Sequence, residues 1–443
     1  MVYAHKFGLF AACLMLCGCS VDLGLAPETP QTGAFVVGDE PYAVKAATAV
    51  LAQGGNAADA AAAMYFALAV TYPVAAGLGG GGICLVHDPK SGRNEEFDFL
   101  ARSSASGGAF AVPGNVRGFA AMQTAFGVLP WQRIVAQAEG LASTGFPVSS
   151  ALAARLASSE DVVRLDAGLA SEFMDESGHL KPAGSIVASR ELADTLTAIR
   201  TQGADAFYGG ANGQRIAAYT IAQNGTIALE ELAAYKSGRV LPHAIRLGDE
   251  YVFMPGESTG AGVFAGALFE RLEQGQGGNT EGAVVVATKQ ALQRFAVTGL
   301  PGDLGSTGFA ATDNNGQAVA CAVTMNGPFG SGHTAQGSGV TLARAPQASA
   351  AGLAVAFLTP VLATDDGGHL LLAGAGAGGP IGTASMADAL ARLSKNEIVT
   401  RRNKPGAGEA GTYDTVNAIL CQTGGCTALP DASAHGLGAA PPP

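Results

Sequence analysis

The stretch that most constrains this chain runs from Gly305 to Gly327 and reads GSTGFAATDNNGQAVACAVTMNG. Two short apolar runs, Phe309 to Thr312 and Ala318 to Val323, flank an Asp-Asn-Asn-Gly-Gln segment. That is the composition of a tight turn between antiparallel strands, so the stretch predicts a β-hairpin. Ser306 and Thr307 open its first strand. A hydroxyl in that position acquires distinctive chemistry if the chain is cut just before it. The freed α-amine then lies beside the hydroxyl and can act as its general base.

The chain has 443 residues, 48% hydrophobic and 14% charged. It is long and apolar enough to bury a large core, as two or three domains or one large layered domain. A net charge of -11 argues against nucleic acid, because no basic stripe is present to displace counterions from phosphates. Gly is found at 63 positions, about twice the usual share, and follows no G-x-y period. This favours many tight turns in a layered α/β arrangement.

The first 19 residues read as an export segment. Lys6 precedes an apolar run, Phe7 to Leu16, too short to span a bilayer and suited to a signal peptide. It ends in Leu16-Cys17-Gly18-Cys19, which resembles a bacterial lipobox with lipidation at Cys19. The expectation is a lipoprotein signal at 1–19, a tether at 20–33 and an anchor on the periplasmic side, with the outer membrane favoured because Ser20 follows Cys19. An ordinary signal peptide without lipid is the alternative. Of the seven cysteines, Cys421 and Cys426 bracket a Gln-Thr-Gly-Gly turn and are the one pair expected to form a disulfide. Cys84 and Cys321 sit in apolar strand-like runs. No Cys or His spacing suggests a metal, and no cofactor is expected.

From Ala34 onward the chain is globular. Pro41 to Gln53 and Asn56 to Val70 predict helices, the first opened by Pro and stopped by Gly54-Gly55. Gly77-Leu78-Gly79-Gly80-Gly81-Gly82 leads into a strand over Ile83 to His87. Leu192 to Arg200 and Leu229 to Tyr235 have helical spacing. Strands are expected at Tyr251 to Met254, near Leu353 to Leu362 and at Leu370 to Ala373. A helix is expected from Ser385 to Leu393, then a polar, loop-like tail.

Five separated motifs resemble the γ-glutamyltranspeptidases in their order along the chain. They are the Gly-Gly-Asn-Ala-Ala-Asp run continuing through Gly82-Ile83-Cys84, then Val112-Pro113-Gly114-Asn115-Val116-Arg117-Gly118, Phe126-Gly127-Val128-Leu129-Pro130-Trp131, Gly203-Ala204-Asp205-Ala206-Phe207-Tyr208, and the hairpin with Thr324-Met325-Asn326 and Phe329-Gly330-Ser331-Gly332. The resemblance implies an α+β, four-layer αββα sandwich of the N-terminal nucleophile (Ntn) hydrolase type. It implies a large-subunit-like region at 34–306 and a small-subunit-like region at 307–443, associating after self-cleavage. The implied activity is hydrolysis or transfer of γ-glutamyl or related amides through an acyl-enzyme.

The resemblance also assigns roles. An ungapped match sets Ser306 at the nucleophile position, 18 residues before Thr324, whereas a one-residue gap sets Thr307 there. Residue type and the Gly-Ser-Thr lead favour Thr307. Thr324 would support the nucleophile, Asn326 would orient the bound head group, and Gly378 and Gly379 would supply oxyanion donors. Several departures bear on the substrate. Gly308 stands where the family has His. Where the family has its substrate-gripping Arg in an Asp-Phe-Arg-Glu motif, Asp98-Phe99 is followed by Leu100-Ala101-Arg102; Arg102, an even shift that keeps the strand face, would substitute for that Arg or else is a solvated surface residue. The acidic pair for the substrate ammonium has no counterpart in Ala343-Arg344-Ala345-Pro346-Gln347, and Ala356-Phe357 replaces a Ser pair.

Two readings of other classes stand beside this one. A catalytically silent member would serve as a lipid-anchored binding or structural protein. Gly256-Glu257-Ser258-Thr259-Gly260 also satisfies G-x-S-x-G, which would make Ser258 the nucleophile of a serine esterase with a later His from His333, His369 or His435. Gly374-Ala375-Gly376-Ala377-Gly378-Gly379 satisfies G-x-G-x-x-G, but no following βαβ units support a dinucleotide site.

Overall fold

In a computed structural model of the chain, residues 32–256, 302–346, 349–393 and 415–442 are described, with Tyr413 and a few positions between 260 and 293. The elements that frame the site are, in chain order, β1 (Phe35–Gly38), α1 (Pro41–Ala52), α2 (Ala57–Thr71), β2 (Gly81–Asp88), β3 (Arg93–Phe99), α3 (Asn115–Phe126), α4 (Trp131–Thr144), α5 (Ser150–Ser158), α6 (Arg190–Gln202), β4 (Gly238–Val240), β5 (His243–Leu247), β6 (Glu250–Met254), β7 (Ser306–Thr312), β8 (Ala318–Thr324), α7 (Ser349–Ala356), β9 (Thr359–Asp365), β10 (Leu370–Ala377), α8 (Pro380–Leu393), β11 (Thr415–Gln422), β12 (Gly425–Leu429) and β13 (Leu437–Ala439).

The Ala-rich helix α2 shows how local chemistry sets this layout. Asn56 caps it by accepting from Asp59 N at 3.0 Å, while Asp59 accepts from Asn56 N at 3.2 Å, a reciprocal capping box. The Asp59 carboxylate also accepts from Val128 N and Leu129 N at 3.0 and 3.1 Å, which ties the helix start to the turn after α3. Apolar residues cover every side of α2 and every one of its residues is buried, as expected of a helix enclosed by others.

Two antiparallel sheets lie between helical layers. The first has the order β13-β1-β7-β8-β2-β3-β4 and the second β12-β11-β10-β9-β6-β5. Leu85, Ala310, Ala320, Leu362, Ala373 and Ile419 fill the space between the sheets. On the outer face of the first sheet Phe309, Cys321, Cys84 and Phe97 form one row across four strands and pack against the helical layer that contains α2. Val252, Val361 and Leu372 on the outer face of the second meet Leu353, Phe357, Met386 and Leu390. This is the expected four-layer αββα sandwich.

The hairpin forms as expected, with Ser306 opposite Thr324 and Thr312 opposite Ala318. Gly308 faces the second sheet, where a Cβ would come within 2.8 Å of Ala375 O. The two sheets approach too closely there for any side chain, a reason for Gly in the place where the family has His.

Three expectations need correction. The run near Leu353 to Leu362 is not one strand: α7 ends at Ala356 and β9 begins at Thr359, a distinction that a short apolar run does not carry. The tail beyond Leu393 is not loop-like, because β11 lies inside the second sheet and β13 pairs with β1. Finally, Cys421–Cys426 is bonded as expected, but Cys84–Cys321 is bonded too. Those two cysteines lie opposite each other on β2 and β8, with Cα atoms 4.1 Å apart, across a sequence separation of 237. The polar break at 274–282 lies outside the described residues.

Candidate active site

Ser306 is the first residue of β7 and is wholly buried. Its Oγ donates to Thr324 Oγ1 at 2.9 Å, across the pair that opens the hairpin. Thr324 Oγ1 is fixed in turn by Asn326 N at 2.9 Å and reaches Gly305 O at 3.2 Å. Met325 N donates to the same Gly305 oxygen at 2.8 Å. Two donors therefore converge on the carbonyl that precedes Ser306, the geometry that stabilises an oxyanion when a nucleophile adds to that carbon. Gly305 has φ 63°, and a Cβ there would meet Gly327 O at 1.9 Å, so only Gly holds the chain in this bend.

The neighbouring hydroxyl has a different environment. Thr307 points to the other side of the strand and donates to Asp39 Oδ2 at 2.6 Å. Asp39 Oδ1 accepts from Asn417 Nδ2 at 2.7 Å, and that Nδ2 also donates to Gly308 O at 2.9 Å. Asp39 is fully buried, and desolvation lifts its pKa to about 6 against the hydrogen bonds from Thr307 and Asn417. The gapped match that favours Thr307 thus joins it to Asp39, while the ungapped match joins Ser306 to Thr324.

A buried ion pair braces the same bend. Ser149 caps α5 by accepting from Leu152 N at 3.1 Å, and the helix buries Ala151, Leu152, Arg155 and Leu156 on one face. Arg155 grips Asp303 with Nε at 3.0 Å and with Nη2, and its Nη1 donates to Ser306 O at 3.1 Å. Asp303 Oδ1 also accepts from Gly305 N at 2.7 Å. The guanidinium lies between the rings of Tyr72 and Tyr413, 5.3 and 5.0 Å from their centroids.

The remaining expected residues are distributed around this centre. Asn326 is buried with φ 58°; its Nδ2 donates to Arg344 O at 2.9 Å, and its Oδ1 has no partner among the described residues. Gly378 and Gly379 are buried and follow β10, whose Ala375 abuts Gly308 two residues along from Ser306. Arg102 is exposed, with its guanidinium 4.9 Å from the centroid of Tyr235. Ser258 and Cys19 lie outside the described residues. His369 pairs with Asp365 at 2.8 Å, and His333 Nδ1 lies 2.9 Å from Ser331 O. Sequence reasoning missed Arg155, Asp303, Asp39 and Asn417. A signal existed for Arg155, a lone cation on the apolar face of a helix. None existed for the Asp39–Asn417 contact, which spans 378 residues.

Two antiparallel sheets between helical layers, with a hydroxyl residue opening a central strand, define the class of Ntn hydrolases. The overall likeness to solved structures agrees: cephalosporin acylase from Bacillus halodurans matches with TM-score 0.74 at 18% identity, over 96% of this chain and 99% of that one. Gamma-glutamyltranspeptidase from Helicobacter pylori matches with TM-score 0.52 at 25% identity, over 58% of this chain and 82% of that one. The family model described as Gamma-glutamyltranspeptidase matches residues 43–296, and the chain belongs to that family. Among curated relatives, Glutathione hydrolase 2 of Arabidopsis thaliana is 33% identical over 229 residues, 48% of this chain and 39% of that protein. Glutathione hydrolase proenzyme of Pseudomonas aeruginosa is 32% identical over 246 residues, 49% of this chain and 43% of that protein. These matches span less than half the length of the two relatives, and the family match ends ahead of the hairpin.

Proposed function

We propose that the chain is a self-processing amidohydrolase or acyltransferase that cuts itself between Gly305 and Ser306 and then uses Ser306 as its nucleophile. The observation that carries this is the convergence of Thr324 Oγ1 and Met325 N on the Gly305 carbonyl, with Ser306 Oγ held 2.9 Å from Thr324. In maturation Ser306 Oγ adds to the Gly305 carbon and the C–N bond to Ser306 breaks. The nitrogen takes the hydroxyl proton, leaving an ester. Water then hydrolyses the ester to a Gly305 carboxylate and a free Ser306 hydroxyl. The new α-amine serves as base for the second cycle, in which Oγ takes the acyl group of an external amide. Gly378 and Gly379 would donate to the oxyanion of that step. The Pseudomonas aeruginosa relative is named a proenzyme, which supports the maturation half of this reading.

The substrate is a γ-glutamyl or related amide. Glutathione itself should be a poor one, because the partners for its ammonium are replaced by Ala343 to Gln347, and a charged head left unpaired in a closed pocket costs several kcal/mol. The two disulfides support export to an oxidising compartment, and Cys19 would carry the anchor. N-terminal sequencing of the smaller fragment tests the proposal. A Ser306 start is expected; a Thr307 start, or a chain that stays intact, refutes it.

A further inference from the structure

A cut at the start of the hairpin divides the first sheet between two pieces of chain. Strands β1, β2, β3 and β4 fall in the larger piece, and β7, β8 and β13 in the smaller. The hairpin that carries Ser306 and Thr324 is therefore held between β1 and β2, two strands of the other piece. Once the Gly305–Ser306 bond is broken, ladder hydrogen bonds and packing alone would leave the pieces in a concentration-dependent equilibrium with their separated forms.

Cys84 and Cys321 lie across one of these seams. Both are wholly buried. They are direct partners in the β2–β8 register, so their side chains leave the same face of the sheet. There they fill the row between Phe309 and Phe97, against the helical layer that contains α2. Their Cα atoms are 4.1 Å apart and their sulfurs are bonded. We propose that this bond is a covalent tether between the two pieces of the matured protein and keeps the Ser306 hairpin seated on β2. The proposal rests on maturation by a cut ahead of the hairpin. It is the same for a smaller piece that starts at Ser306 or at Thr307, because Cys84 and Cys321 flank both.

The position of the bond connects it to the site. Thr324 pairs with Gly81 where Cys321 pairs with Cys84, so the tether lies three residues away, about 10 Å along the strand. A one-residue slip of the hairpin along β2 would turn Ser306 and Thr324 to the opposite face of the sheet. A bonded pair permits no such slip. In the uncut chain the bond closes a loop across a sequence separation of 237. After the cut it makes the association of the pieces intramolecular. Cys421–Cys426, with a separation of 5, lies wholly in the smaller piece and cannot do this. The tether forms by exchange with an oxidant disulfide: the two thiols give up two electrons and two protons, and the oxidant is left as a dithiol.

The matured full chain, its free thiols first blocked with N-ethylmaleimide, is run on denaturing gels with and without reductant. One species is expected without reductant and two with it, and a non-reducing digest should yield a linked pair of peptides holding Cys84 and Cys321. Two bands in both lanes refute the tether while leaving cleavage intact; one band in both lanes refutes cleavage and the tether that depends on it. The Cys84→Ala/Cys321→Ala protein should give two bands without reductant, whereas Cys421→Ala/Cys426→Ala should behave as the wild type. A single species in the first variant, or two bands without reductant in the second, overturns the assignment to Cys84 and Cys321. The holding role is read from urea midpoints. On about 100-fold dilution of the protein the wild-type midpoint should stay fixed and that of Cys84→Ala/Cys321→Ala should fall; the same response in both overturns that role. Should this variant fail to fold or mature, the wild-type gels and digest still decide whether the tether exists.

Discussion

Replacing Asp39 by Asn should stabilise the protein at neutral pH and do so less as the pH falls. Asp39 is wholly buried, with Oδ2 accepting from Thr307 and Oδ1 from Asn417. Burial raises its pKa from 3.8 to about 6, the nearby Asp431 adds to the rise, and Arg155 opposes it. The folded state therefore holds the proton more tightly than the unfolded chain. Its contribution is fully present below about pH 4 and is lost as the pH climbs toward 6 and beyond. At about 1.4 kcal/mol per tenfold change in proton affinity, ionising Asp39 at pH 7 costs about 3 kcal/mol against the rise from 3.8 to about 6. An amide has the same shape: its oxygen can accept from Asn417 and its nitrogen can donate to Thr307 Oγ1. With an allowance of about 1 kcal/mol for rearranged hydrogen bonds, Asp39→Asn should gain about 2 kcal/mol at pH 7 and lose up to about 1 kcal/mol at pH 4. Urea midpoints at pH 4, 5, 6 and 7, measured with and without the substitution in an uncut Ser306→Ala background under oxidising conditions, isolate the effect. A difference between the two proteins that does not vary with pH would refute the reasoning.

Other substitutions separate the roles around the hairpin. Thr324→Val should slow self-cleavage on the order of 100- to 1,000-fold by removing one donor to Gly305 O, read as the rate at which the Ser306 fragment accumulates; an unchanged rate removes Thr324 from the mechanism. Thr307→Val should leave the cut at Ser306 but cost about 1–3 kcal/mol of stability, since Asp39 loses a buried partner. Loss of cleavage in a variant whose folding is intact would restore Thr307 as the nucleophile. Cys19→Ala should move the protein from the membrane to the soluble periplasmic fraction, because acyl chains on Cys19 would supply the proposed anchor; unchanged fractionation rules out lipidation there.

How much of this was legible in the sequence differs by level. The hairpin and the first two helices announce themselves through local chemistry: a Gly-containing turn between apolar runs, a Pro start, and an Asn56–Asp59 cap. The layered fold does not. β2, β7 and β8 are buried on both faces, so their sequences lack the alternation that would identify a half-exposed strand. The tail is hard to read for another reason: β13 is only three residues long and partly exposed, and it is a strand because β1 offers it an edge.

The choice between Ser306 and Thr307 was beyond sequence reasoning for a related reason. Adjacent residues of a strand face opposite sides, so a one-residue gap in an alignment exchanges two environments completely. Composition favours Thr, but facing decides which hydroxyl meets Thr324. On the face toward the second sheet, Ser306 shares its side with Gly308 and Ala310 and meets Thr324 directly across the hairpin. Thr307 is instead absorbed by Asp39, which Asn417 of the second sheet also holds; Asp39 and Asn417 are 378 positions apart, and only the finished fold brings them together. The substitution of Gly for the family's His then has a structural cause as well, since Ala375 of β10 occupies the space a side chain would need. The sheets pack closely enough to rule out a His at 308, while Ser306, the wholly buried first residue of the strand, is the hydroxyl that adjoins the Gly305 bend and meets Thr324.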